Sequence, residues 1–384
     1  MKYKLSYNKD RVREAVDLCT RWYSGEKVER APFAFSVPAP ETKAWSNGST
    51  YNFGEMCRSV DKAVASQIAA VQYQFDSYPD CDYLPVFPLF YLGEGILAAM
   101  YGAEQLIIDD NPPFTKGRFL QNISELHKLP QKPDFENSEW GRLLKEHMMK
   151  LLDASNGEIP IGVADYQSPY GTATKLIPNE ELMMAMYDEP ELVHAFLDRI
   201  TNGIIELVET MQKWTGDKLL ATNIAMPVPG KAGGILWDDY ISVITPELHN
   251  EFCKPYNLKY FERFGRGHLH TCGPYFPAFI DACLACNPIS MDVNIMRGMG
   301  KSEEDLRMFR KITRENHIRL LGSLLINDVS IFDKDPVKPS RELCKEFMDG
   351  GFFMTSSGTK QEGDEFKKLC FDLSKELLNE GKEL

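Results

Sequence analysis

Short apolar runs alternate with stretches in which apolar residues recur at the helical period. Residues 10–22 carry Val12, Ala15, Val16, Leu18 and Cys19 near that period and predict a first helix. Residues 32–37 (PFAFSV) are short, apolar and aromatic, as a buried strand would be. The same kind of run returns at 85–90 (PVFPLF), 160–165 (PIGVAD), 219–224 (LLATNI), 268–272, 289–294 (ISMDVN), 318–323 (IRLLGS) and 352–356 (FFMTS). Helical patterns separate most of them. The most regular spans 192–214, with Leu192, Phe196, Ile200, Ile204, Leu207 and Met211 on one stripe; others cover 61–75, 247–264 and 365–378. Near-continuous apolar strands suit burial on both faces of a parallel sheet, and eight such units predict an α/β fold, a (β/α)8 TIM barrel. The expected organisation is one barrel domain over residues 1–384, with 1–30 as an N-terminal helical extension. A doubly wound sheet is the alternative. The chain has no G-x-G-x-x-G and no phosphate-binding G-x-x-x-x-G-K-[ST], which removes weight from its nucleotide-binding versions.

Composition changes this picture only at its edges. The chain has 384 residues, 43% hydrophobic and 26% charged, enough apolar material for a large core. The net charge of -13 argues against general nucleic-acid binding, which needs a basic surface. No apolar run is long enough to span a membrane, and residues 1–10 lack the apolar region of a signal peptide, so the expected location is the cytoplasm. Nine cysteines, an odd number in a chain of this length, suggest reduced thiols.

Chemistry in a TIM barrel sits at the C-terminal ends of the strands. That rule selects Asp165, Tyr166 and Gln167 after the third run, Asn223 in the fourth, His270-Thr271-Cys272-Gly273 in the fifth, Asp292 and Asn294 in the sixth, and Thr355, Ser356, Ser357 and Thr359 after the eighth. In an alternating strand about half of these face the barrel interior. His270 and Cys272 share one strand face, and imidazole nitrogen with thiolate sulfur suits Zn²⁺; a substrate-contacting or packed pair is the alternative. His268 has the same parity one layer deeper and reads as a packed histidine. Cys283 and Cys286 form a lone C-x-x-C in an apolar helical stretch and read as two small buried residues. Two long connections rich in Gly and Pro, 38–58 and 227–239, have the look of lids over a site.

Several stretches resemble the uroporphyrinogen decarboxylase superfamily over roughly residues 25–380: Val28-Glu29-Arg30-Ala31-Pro32; Asp188-Glu189-Pro190-Glu191-Leu192-Val193-His194 with Leu197 and Ile200-Thr201; Ile244-Thr245-Pro246-Glu247 with Lys254-Pro255-Tyr256; and His270-Thr271-Cys272-Gly273. The resemblance implies a TIM barrel. Its decarboxylating branch uses an arginine-rich segment after the first strand and an aspartate after the second. Here the first segment has no arginine before Arg58, and Glu94 stands one residue from the aspartate position, at Gly93. The other branch is similar to the methylcobamide:coenzyme M methyltransferases. There an H-x-C pair and a later cysteine hold zinc, and a corrinoid carried by a partner protein exchanges the methyl group. The resemblance thus implies zinc at His270 and Cys272, with Thr359 standing where the third ligand is expected. Candidates to replace it are Glu362, Asp364, Asp292, Cys283 and Cys286. The expected function is methyl transfer between a corrinoid protein and a small acceptor; the alternatives are a metal-free carboxy-lyase and a small-molecule-binding barrel without turnover. Glu94 and Asp292 are the expected catalytic residues, Asp292 also as an orienter of a ligand. Tyr166, Asn223, Asp239 and Thr359 are expected to bind substrate.

Overall fold

The computed structural model describes residues 3–36, 50–221, 234–271, 277–294, 302–325, 340–348, 352–357 and 360–382. Its strands are β1 (Phe33–Ser36), β2 (Gln105–Leu106), β3 (Phe114–Thr115), β4 (Ile161–Gly162), β5 (Leu219–Leu220), β6 (Ile235–Trp237), β7 (His268–His270), β8 (Ser290–Asn294), β9 (Arg319–Leu325) and β10 (Phe352–Ser357). Six of them form a parallel sheet in the order β1-β10-β9-β8-β7-β6, and β4 and β5 form a separate parallel pair. Backbone hydrogen bonds outside the named strands carry the path round between these sheets. Asp82 N–H donates to Phe33 O at 2.9 Å, Gly162 N–H to Phe87 O at 3.0 Å, and Ser168 N–H to Trp237 O at 2.7 Å. Helices follow the strands on the outside, and the whole is a TIM-barrel-like α/β fold. Strands β2 and β3 form a small antiparallel hairpin beside it.

Two sequence expectations change. Residues 85–90 do not form a strand; only Phe87 bridges to Ile161, and a turn of 3-10 helix follows at Phe90–Leu92. Pro85 and Pro88 cannot donate to a ladder, which is why an apolar run of the right length stays irregular. Conversely, Ile235–Trp237, inside the segment expected as a lid, is a strand hydrogen-bonded to β7. The part of that segment at 227–233 lies outside the described residues, as do residues 38–49 of the other expected lid. Residues 53–58 of the latter form a helix, Phe53–Arg58, started by a capping box between Asn52 and Glu55.

The long helix Pro190–Thr215 buries Val193, Phe196, Leu197, Ile200, Ile204, Leu207 and Met211, so the expected stripe holds, except that Leu192 lies at its exposed edge. The first helix, Lys9–Ser24, is started by the Asn8 side chain, which accepts from the N–H groups of Asp10 and Arg11, and is ended by Gly25 at φ 87°. It buries Ala15, Leu18, Cys19 and Trp22, while Val16 faces solvent. No described helix is long and apolar enough to cross a membrane.

One close approach fixes how β7 meets β6. A Cβ built on Gly267 would lie 1.7 Å from the carbonyl oxygen of Gly234. Backbone cannot yield as a side chain can, so Gly267→Ala is expected to force the two strands apart and cost about 1–3 kcal/mol or more. Urea denaturation of the variant beside wild type measures it; equal midpoints would contradict this packing.

Candidate active site

One transverse row crosses the barrel near the C-terminal ends of its strands. Gly95 bridges to Tyr166, Gln167 to Trp237, and Trp237 pairs with His270. Since His268 pairs with Ser290, the parallel register sets Asp292 beside His270. Side chains two residues apart on one strand share a face, so this row gathers polar groups from staves far apart in sequence.

His270 is its centre. Its Nδ1 lies 2.5 Å from Oδ2 of Asp292, and its Nε2 lies 3.7 Å from Oδ1 of Asp239. With a carboxylate accepting at Nδ1, that nitrogen keeps its proton, and Nε2, on the side of Asp239, is the nitrogen a metal would take once the ring is neutral. Burial pushes the Asp292 carboxyl up, but the charge and hydrogen bonds of His270 and His268 outweigh it and hold Asp292 below the usual carboxylate range. His268 sits one layer deeper as expected: it is buried, its Nδ1 is 2.9 Å from Ser290 Oγ, and its Nε2 is 3.5 Å from Asp292 Oδ1.

Asp239 reaches the row because its neighbour is anchored. Asp238 is fully buried. It accepts from Ser168 Oγ at 2.9 Å and Asn257 Nδ2 at 2.6 Å, and its N–H donates to His270 O at 2.9 Å. Ser168 also caps the helix Pro169–Leu176, whose last turn carries Lys175. Lys175 pairs with Glu94 and lies 6.0 Å from the centre of the Tyr240 ring. Glu94 is delivered by Gly93, at φ 83°, where a Cβ would meet the Pro113 carbonyl oxygen at 2.1 Å.

Asp165 completes the group. Its Oδ1 is buried and, among the described residues, has no hydrogen-bond partner. Burial pushes its carboxyl up to about 7, Glu94 and Asp239 add to the rise, and His270 and Lys175 oppose it. A group tuned near neutrality by burial and by named neighbours is a common property of reaction sites.

The sequence candidates therefore divide. Glu94, Asp239, His270 and Asp292 come together at the rim. Tyr166 does not line it: the side chain is buried in the core, its hydroxyl 2.5 Å from that of Tyr260 and donating to Ile235 O at 3.1 Å. Asn223, Cys272 and Thr359 lie outside the described residues. Among possible replacements for a third metal ligand, Cys283 and Cys286 are buried thiols pushed up by burial, Cys286 to about 12, and Asp364 is an exposed side chain. Lys175 escaped the sequence reading; it sits in a helix, and the strand-end rule does not reach it.

Tested against zinc, the described residues supply part of a site. The Asp292–His270 pairing is the carboxylate–histidine arrangement that orients a metal-binding imidazole, and Asp239 lies close enough to Nε2 to share an ion. Among the described residues no three His, Cys, Asp or Glu side chains are grouped to hold a metal.

Residues 15–302 match the family model for uroporphyrinogen decarboxylase (URO-D), and the chain belongs to that family. Among solved structures it is similar to a methyltransferase from Methanosarcina mazei, with a TM-score of 0.59 over 90% of this chain and 92% of that chain, at 14% identity. At that identity the likeness is one of fold. No curated protein matches the sequence.

Proposed function

We propose that the chain is a methyltransferase that moves a methyl group between a corrinoid carried by a partner protein and a small acceptor, with zinc held at His270 and Cys272. The observation that carries this reading is the His270 imidazole, fixed through Nδ1 by Asp292 with Nε2 3.7 Å from Oδ1 of Asp239. The similarity to a protein named a methyltransferase supports it. When bound, zinc would lower the pKa of an acceptor thiol and keep it as the nucleophilic thiolate. Asp292 orients the imidazole, and Glu94, paired with Lys175, would lie on the acceptor's side of the rim. Asp165 holds or releases a proton near neutral pH. Decarboxylation of a polycarboxylate fits less well. That chemistry needs convergent cations, and the described rim sets Glu94, Asp165, Asp239 and Asp292 against Lys175 and His270.

The test is to incubate zinc-supplemented protein with methylcobalamin and a panel of small thiols, following loss of the methyl–cobalt absorbance. The expected result is demethylation that requires both protein and zinc and falls to background in His270→Ala. Demethylation with no dependence on protein, or undiminished in His270→Ala, would overturn the reading.

A further inference from the structure

Layers inside a parallel barrel are ordinarily filled by branched apolar side chains. The layer beneath the rim departs from that. His268 and Ser290 pair across β7 and β8, both are buried, and His268 Nδ1 lies 2.9 Å from Ser290 Oγ. The opposite ring nitrogen, Nε2, lies 3.5 Å from Oδ1 of Asp292, long for a hydrogen bond but close enough to restrain the carboxylate. The other oxygen of that carboxylate, Oδ2, is the one 2.5 Å from His270 Nδ1. Ser290 has a further partner in Tyr23, at the end of the first helix, whose hydroxyl bonds to it. A line of polar groups therefore runs from Tyr23 through Ser290, His268 and Asp292 to His270. A histidine kept for packing alone gains nothing from a carboxylate at its second nitrogen, and leucine would fill the layer without burying polar atoms.

We propose that His268 is a positioning residue for His270: with its proton on Nε2, it holds the Asp292 carboxylate so that Oδ2 stays on His270 Nδ1. The hydroxyls decide the tautomer. Tyr23 donates to Ser290, Ser290 donates to His268 Nδ1, and a neutral imidazole that accepts at Nδ1 carries its proton on Nε2. Asp292, held at Oδ1, then accepts from His270 at Oδ2, and His270 Nε2 is left unprotonated on the side of Asp239. The inference rests on reading His270 as the residue that meets the metal, but the arrangement it describes belongs to the metal-free chain.

NMR of the full chain, freed of metal by chelation and with its seven histidines labelled with 15N, reads which ring nitrogen carries each proton. The measurement is made at about pH 9, well above the ordinary histidine pKa of about 6.5. The expected result in wild type is His268 protonated at Nε2 and His270 at Nδ1. In His268→Leu, the His270 signals are expected to lose that single state and become those of a ring sharing its proton between two nitrogens. His268→Gln, whose side-chain amide keeps an N–H donor, is expected to restore the wild-type His270 signals. Urea midpoints check that each variant is folded. His270 unchanged in folded His268→Leu, or altered equally in the leucine and glutamine variants, would overturn the proposal. So would wild-type His268 protonated at Nδ1, a result that stands whether or not the leucine variant folds. The signals are read without zinc, corrinoid or acceptor, so the proposed reaction can fail while this inference stands, and the reverse.

Discussion

Asp82→Ala is expected to lower the stability of the chain by about 3–5 kcal/mol. The carboxylate is fully buried where the first helix meets the barrel. It accepts from Arg11 Nη2 at 2.6 Å, from Arg30 Nη1 at 2.5 Å and Nη2 at 2.8 Å, and from the N–H of Phe33 at 3.0 Å. Phe33 opens β1, and the Asp82 N–H returns a bond to its carbonyl. One side chain thus joins the helix Lys9–Ser24, the first stave and the segment leading to the second. Removing it leaves two part-buried guanidinium groups without their buried carboxylate, and breaking a buried ion pair from one side costs more than the pair contributes. Asp82→Asn keeps one acceptor oxygen and should fall between alanine and wild type. Urea unfolding of the three proteins orders them; an alanine variant within 1 kcal/mol of wild type, roughly the worth of a surface pair, would contradict this account.

Asp165→Asn is expected to act in the opposite direction, and only at high pH. The carboxyl titrates near 7 when folded, against about 3.9 in an unfolded chain. A raised folded pKa means the folded state holds its proton more tightly. The resulting stability is fully present below about pH 4 and is lost as pH rises through 7. Above that point the wild type carries a buried charge that the amide of the variant does not. The variant should therefore be more stable than wild type by roughly 2–4 kcal/mol at pH 8.5 and close to it at pH 4. Thermal unfolding at the two values measures this. The same difference at both would mean that the charge of Asp165 is not the cause.

Much of this architecture is legible in the sequence because buried parallel strands leave a simple mark. The runs at 32–37, 289–294 and 318–323 coincide with β1, β8 and β9. The misses have local causes. Its apolar run makes 85–90 look like a strand while two prolines deny it a ladder, and β6 hides behind a Gly- and Pro-rich segment, its only signal the triplet Ile235-Leu236-Trp237. At the site, position at a strand end points to His270 and Asp292, and the family resemblance to Glu94, but not to which of two neighbours faces inward. Asp165 and Tyr166 illustrate it: consecutive residues point to opposite sides, and the carboxyl joins the charged rim while the phenol packs against Tyr260. Lys175 is legible only once the helix Pro169–Leu176 is known to lean over Glu94.

The central claim is that His270, set by Asp292, serves a metal at the barrel rim. Elemental analysis of untagged protein prepared with zinc and without chelator tests it most directly, with wild type beside His270→Ala and Cys272→Ser. The account predicts about one zinc per chain in wild type, the stoichiometry of a single catalytic site, and its loss in both variants. Zinc-free wild type, or zinc retained in folded His270→Ala, would contradict it.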